Sequence, residues 1–140
     1  MKADATPATG ARYAELVQIP HSHIDGAWKS AEPLLRKAHD RAECDSPERF
    51  RDRLRARECD LWGVYLGGRM VAAAISSIRG KTATIEAVGG ALMRDWVHLV
   101  AEYEDLARAN GMEQIEIEGR DWSRVLSGYK VKRVILGKAL

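Results

Sequence analysis

The period of the apolar positions changes several times along the chain, and each change marks an element. Residues 12–19 (RYAELVQI) alternate well enough for a half-buried strand. Beyond Pro20, Ile24, Trp28, Ala31, Leu35 and Ala38 recur at helical spacing. Pro33 lies inside that stretch, so a kink or a restart is expected there. A second helix is expected over 46–57 (SPERFRDRLRAR), with Ser46 as N-cap and Pro47 at the first helical position. Its apolar side is thin, only Phe50 and Leu54.

The middle of the chain reads as strands. Residues 59–66 and 69–78 flank Gly67–Gly68, a strong short hairpin signal, and 81–88 adds a third antiparallel strand. From Leu92 the period turns helical: Leu92, Trp96, Leu99, Val100, Tyr103 and Leu106 form one stripe that stops at Asn110–Gly111. Residues 112–119 alternate as a strand, 120–129 suit a short helix capped by Asp121, and 131–138 suit a closing strand. The resulting order, β-α-α-β-β-β-α-β-α-β, predicts an α/β (mixed α+β) fold with one mixed sheet and helices on both faces. Residues 1–11 read as a loose arm and 12–140 as a single domain, with no internal repeat and no dividing linker.

Composition narrows the function classes. The 140 residues are 46% apolar and 30% charged, ordinary for a globular chain able to bury its own core. A net charge of +2 is too small to argue for nucleic acid as an obligatory partner. Cys44 and Cys59 have no Cys-x-x-Cys spacing, which argues against a disulfide framework or a zinc knuckle. The N-terminus lacks the apolar core of a signal peptide, and no apolar run approaches the ~20 residues of a membrane span. A cytoplasmic or virion-associated location is expected.

The element order, with a glycine-bearing strand-to-helix junction at 84–96 (TIEAVGGALMRDW), resembles the GNAT superfamily of N-acetyltransferases. The resemblance covers nearly the whole chain from about residue 12. The stretch GRDWSRVLSGYKVKRVIL is similar to that family's last helix, its Gly-aromatic stop and the following strand. IEIEGRDWSRVLSGY, taken with W..AEPLLRKA, also resembles small GNAT-like proteins encoded among the structural genes of tailed phages and prophages.

The superfamily resemblance implies acetyl-CoA held by a Gln/Arg-x-x-Gly-x-Gly/Ala loop, whose helix-terminal amides cradle the pyrophosphate. Here the matching residues are Glu86, Gly89 and Ala91, with Gly90 between the small positions and Arg94 in the first helical turn within reach of a phosphate. Glu86 departs from the pattern by setting a carboxylate near the phosphates, which is unfavourable. The loop is also short. Gly89–Gly90 reads equally as a tight turn, and Arg94 as a solvated side chain. By the same resemblance Glu86 is the candidate general base; its structural alternative is a rim residue on a half-buried strand. The position of the family's tyrosine acid, four residues before Gly128, is Arg124, which cannot donate a proton at neutral pH. Tyr129 is expected to pack against the sheet.

Other features are less specific. His21 and His23 form a His-x-His pair without further ligands at metal spacing, and His98 falls on a polar helix side. Arg49, Arg53 and Arg57 share one face of the second helix and Arg51 and Arg55 another, a grip for an acidic partner or a charged outer face offset by Glu48, Asp52 and Glu58. Among Trp28, Trp62, Trp96 and Trp122, Trp96 reads as core and Trp122 as a contact residue. Two functions follow. One is a GNAT-fold protein with a degenerate acetyl-CoA site that works by protein contacts in a phage-like particle or its assembly. The other is an active acetyl-CoA-dependent N-acetyltransferase acting on a small amine or a protein amino group.

Overall fold

The computed structural model describes residues 14–91, 93–119, 122 and 125–140. The arm over 1–11 therefore lies outside the described residues. Five strands form one mixed sheet in the order β1-β2-β3-β4-β5: β1 is Glu15–Gln18, β2 Asp60–Leu66, β3 Arg69–Arg79, β4 Thr82–Gly90 and β5 Gln114–Ile117. β1 through β4 pair antiparallel, and β5 joins β4 in parallel. A 3₁₀ turn at His21–His23 leads into α1 (Ile24–Arg41), and α2 (Pro47–Arg55) follows before β2. Two further helices, α3 (Met93–Trp96) and α4 (Leu99–Ala109), make the crossover that a parallel neighbour requires.

Local chemistry accounts for most of these boundaries. Ser46 accepts a hydrogen bond from the Arg49 amide, so α2 starts at Pro47 as the sequence indicates. Gly67 and Gly68 both take positive φ, 60° and 76°, which lets the β2–β3 hairpin turn in two residues with the twist the strands need. The run MVAAAIS on β3 is nearly all apolar because both faces of that strand are covered. On one face α1 contributes Ile24, Trp28, Ala31, Leu35 and Ala38, and α2 Phe50 and Leu54, against Leu61, Ala73, Ile75 and Ala87. On the other, Tyr103 and Ala107 of α4 meet Trp62, Ala83 and Ile85. There the Trp62 and Tyr103 rings meet edge to face at 5.3 Å, and the Trp62 indole N–H donates to Ser76 Oγ at 2.8 Å. Trp96 and Leu99 close a third cluster with Val64 and Ala72.

Three expectations change. α1 runs through Pro33 as one helix instead of restarting, because its buried face carries on unbroken from Ile24 to Ala38. The helix expected from Leu92 is two helices. Backbone bonding switches to the i−3 pattern at Val100 and Ala101, which ends α3 and begins α4 on a new turn. No closing strand forms over 131–138, and 125–128 make a turn in place of the end of the expected helix, whose residues 120, 121, 123 and 124 lie outside the described residues. Side-chain ties hold this end of the chain: Tyr129 to Glu104, Lys132 and Arg133 to Glu116. Among the described residues, no element covers the apolar side chains of 131, 134, 135 and 136. Among the described residues, no helix is long and apolar enough to cross a membrane.

Burial of Trp96 among Val64, Ala72 and Leu99 predicts that Trp96→Ala costs roughly 3–5 kcal/mol, read as a lower urea midpoint. A loss below about 1 kcal/mol would show that this part of the chain does not pack on the sheet.

Candidate functional site

The two features that drew attention in sequence, Glu86 and the glycine pair, both sit on the last half of β4, where the strand outruns its partner β5. Parallel pairing ends at Ile85–Ile117, and Glu118 makes one further bond to the Ile85 carbonyl. Beyond that point β4 continues to Gly90 against β3 alone, so β4 and β5 splay apart. A β-bulge marks the same place: Ile75 pairs with Ala87 and Ser76 with Ile85, which leaves Glu86 as the extra residue. Such a bulge bends the strand and re-aims the side chain it carries.

That side chain points at α2. Arg53 donates to both Glu86 carboxylate oxygens, Nη1 to Oε1 at 2.9 Å and Nη2 to Oε2 at 2.8 Å, and Arg53 Nη1 also reaches Asp45 at 3.0 Å. Glu86 is only 10% exposed and Arg53 21%, so the pair is largely withdrawn from water and bidentate. Burial works to raise the Glu86 carboxyl, but the Arg53 hydrogen bonds and charge outweigh it and hold the group below the usual carboxylate range. Glu86 is therefore an internal ion-pair partner. It is neither a free base tuned towards neutral pH nor a solvated rim residue.

Gly89 is required by packing. A Cβ there would lie 1.9 Å from the Leu34 carbonyl oxygen of α1 and 3.3 Å from the Ala38 Cβ. The helix backbone rests directly on the strand, and only glycine leaves room for it. Two polar groups of the junction are also engaged: the Ala91 amide donates to the Val71 carbonyl at 3.0 Å, and the Trp96 indole N–H donates to the Ala91 carbonyl at 2.7 Å. Only one residue separates Ala91 from α3, and α3 is a single turn. Arg94 is exposed.

Two connected hollows lie along the splay. The larger, about 500 Å³, is open and lined by His39, Glu43, Cys44, Asp45, Glu86 and Glu118. The smaller, about 80 Å³, runs between 86–90 and 118–119 under Met93, Trp96 and Trp122, with Lys37 and Arg41 at its α1 side. His39 Nδ1 donates to the Cys44 carbonyl at 2.9 Å and so helps shape the loop after α1. Burial pushes the Cys44 thiol up, and the nearby Asp45 and Glu86 charges add to this. A low-pKa nucleophile is not what these surroundings make.

The other candidates scatter. Arg49 is exposed and ion-paired with Asp45 at 3.3 Å, and Arg57 is exposed. Arg53 turns to the interior and Arg57 lies beyond the end of α2 with φ 59°, so the three arginines do not share one helical face as expected. The signal was the place of Arg53 beside Leu54 and three residues beyond Phe50, whose ring its guanidinium overlies at 5.7 Å. Arg51 overlies the Trp28 ring at 5.6 Å, and Arg51 and Arg55 both pair with Asp25. Trp122 is half-buried against the Trp96 cluster, so it lines the small hollow and is not a free contact residue. Tyr129 donates its hydroxyl to Glu104 on α4 at 2.6 Å, and burial followed by that bond raises its phenol well above the ordinary value. Arg124 lies outside the described residues. His98 is exposed as expected, whereas His21 is half-buried with Nε2 3.3 Å from the Cys59 carbonyl, a structural tie. No cluster of three or more metal-ligating side chains occurs among the described residues.

This geometry separates two groups of variants. Glu86→Gln and Arg53→Gln should each cost about 3 kcal/mol, the low end of breaking a buried ion pair, whereas the Arg49→Gln, Arg57→Gln double variant should stay within about 0.5 kcal/mol. Because the folded-state pKa of Glu86 is lowered, its stabilisation is fully present above the unfolded value of about 4.3 and is lost as pH falls through the folded value. Glu86→Gln should therefore flatten the acid side of the stability curve, measured by urea unfolding between neutral and acidic pH. Gly89→Ala should destabilise by at least about 1–3 kcal/mol, since the atom it meets is backbone. A Gly89→Ala variant of unchanged stability would return the glycine to a ligand role.

No protein-family model and no curated protein matches the sequence. The fold does have solved counterparts. An aminoglycoside acetyltransferase from an uncultured soil metagenomic sample, in complex with sisomicin, superposes with a TM-score of 0.67 at 10% identity, covering 91% of this chain and 96% of that one. A possible acetyltransferase of Clostridium difficile gives 0.60 at 11% identity, covering 91% and 98%. A GNAT family acetyltransferase of Staphylococcus aureus gives 0.58 at 12% identity, covering 91% and 99%. The chain has the fold of the GNAT acetyltransferases.

Proposed function

We propose that the protein is a GNAT-fold scaffold that works through protein contacts and not by acyl transfer. The observation that carries this reading is the α1–β4 contact at Gly89, where the Leu34 carbonyl resting on the strand accounts for the glycine without a ligand. Three further features support it. The Ala91 amide is committed to Val71, and the hollow beside Gly89 and Gly90 holds about 80 Å³, against the 300 Å³ or more of ordinary ligand pockets, while the adjoining hollow of about 500 Å³ is open. The adjoining larger hollow presents Glu43 and Glu118 beside the ion-paired Asp45 and Glu86, and no lysine or arginine stands among its described lining residues to attract a polyanion such as acetyl-CoA. Glu86, the one carboxylate matching a base position, is engaged by Arg53. These residues do not fit acetyl-CoA. The sequence resemblance to small phage and prophage proteins directs the reading towards contacts in a particle or its assembly, with exposed Arg49 on α2 and Arg57 in the turn after it as the surface offered to an acidic partner.

The alternative, an active N-acetyltransferase, draws on the β4–β5 splay, on Lys37 and Arg41 as phosphate partners, and on the acidic hollow as a seat for a cationic amine. Calorimetric titration with acetyl-CoA separates the two. The scaffold reading expects a dissociation constant no tighter than about 1 mM, which is ~4 kcal/mol of affinity. A micromolar constant that Lys37→Glu or Arg41→Glu abolishes would establish the alternative.

A further inference from the structure

Residues 130–140 combine apolar exposure with positive charge. Val134, Ile135 and Leu136 are 74%, 81% and 91% exposed, with Val131 and Leu140 exposed on either side. Lys130, Lys132, Arg133 and Lys138 are interleaved with them. In an extended segment successive side chains point to opposite faces, so three consecutive exposed residues leave both faces uncovered. A lone exposed apolar residue is ordinary, but a contiguous run of them marks an interaction surface.

Next to this segment lies an open sheet edge. β5 is the last strand of the sheet and pairs with β4 along one side only; among the described residues no strand occupies the other. Glu116 on β5 and Glu118 just beyond it attract the segment: Lys132 Nζ lies 3.4 Å from Glu116, and Arg133 lies 3.2 Å from Glu116 and 3.9 Å from Glu118. These ties are through side chains. No backbone hydrogen bond joins 130–140 to β5 among the described residues. An edge with free amides and carbonyls beside an uncovered apolar segment is a template for strand addition.

We propose that residues 131–136 are a self-association strand: in a two-fold dimer, the segment of each copy adds to the open edge of β5 in the other. Charge complementarity favours the site, since Glu116 attracts both Lys132 and Arg133, and the same attraction is open to a segment from a second copy. The exposed residues select the second copy. A ladder within one chain pairs the backbone but leaves Val134 and Leu136 on one side and Ile135 on the other, with no described residue burying them. A reciprocal exchange brings the body of the other copy over them and satisfies both edges at once. The inference does not depend on whether the cleft binds acetyl-CoA.

The test uses the full chain in sedimentation equilibrium across a concentration range, followed by zero-length carbodiimide cross-linking of a mixture of isotopically heavy and light chains. The expected result is twice the chain mass, with Lys132–Glu116 cross-links joining heavy to light chains. Val134→Glu with Leu136→Glu should weaken the dimer by about tenfold or more while leaving the circular dichroism spectrum of the dilute protein unchanged, because both positions are already exposed in one copy. A monomer at every concentration overturns the proposal. So does a dimer whose Lys132–Glu116 cross-links stay within one chain, and so does a monomer whose 114–117 amides are protected from hydrogen exchange, which would be a strand closed in its own chain.

Discussion

The backbone of α1 rests on β4 with the Leu34 carbonyl against Gly89, so closely that a single added carbon would lie 1.9 Å from it. The face of the sheet that packs on this helix is arranged around that approach. Ala38 on the helix and Ala87 on the strand are small for the same reason, and the larger side chains of the cluster, Leu35, Phe50 and Ile75, fill the volume to either side. Close packing of this kind tolerates little change in volume, so the glycine is tied to the position of the helix. At the strand-to-helix junction, the missing side chain of Gly89 is what admits the neighbouring helix.

The second constraint is electrostatic and lies one bulge away. Arg53 crosses from α2 to Glu86 and binds it in a fork, with Asp45 on the same guanidinium. The pair joins a short helix with a thin apolar side to the sheet, where Phe50 and Leu54 alone offer little area. Once Glu86 and Asp45 are held this way, Glu43 and Glu118 remain to give the mouth of the hollow its acidic character. In this fold, shared with acetyltransferases, Gly89 packs under a helix and Glu86 pairs with Arg53, and fold and activity have to be argued separately.

Several elements were legible from periodicity and turn chemistry alone. The faces of α1 and α4, the Ser46–Pro47 start of α2, the Gly67–Gly68 hairpin and the order of the five strands depend on residues near one another in sequence, and local preference decided them. Trp96 as core was legible for the same reason. The end of the chain was not. Residues 131–138 have the pattern of a strand, but a strand needs a partner edge and covered faces, and pattern does not say whether either is supplied within one copy.

The site shows the same division. The sequence by itself determined that residues 84–96 run from strand through glycine to helix, that a carboxylate stands at 86, and that arginines crowd α2. Only the tertiary structure decided that Gly89 lies under a helix carbonyl and that Arg53, 33 residues from Glu86, turns inward while Arg49 stays in solvent. The physical reason is reach. Backbone preference and amphipathic period act over a few residues, whereas the close approach of two backbones and the pairing of two buried charges are set by elements distant in sequence that meet only when the sheet is assembled.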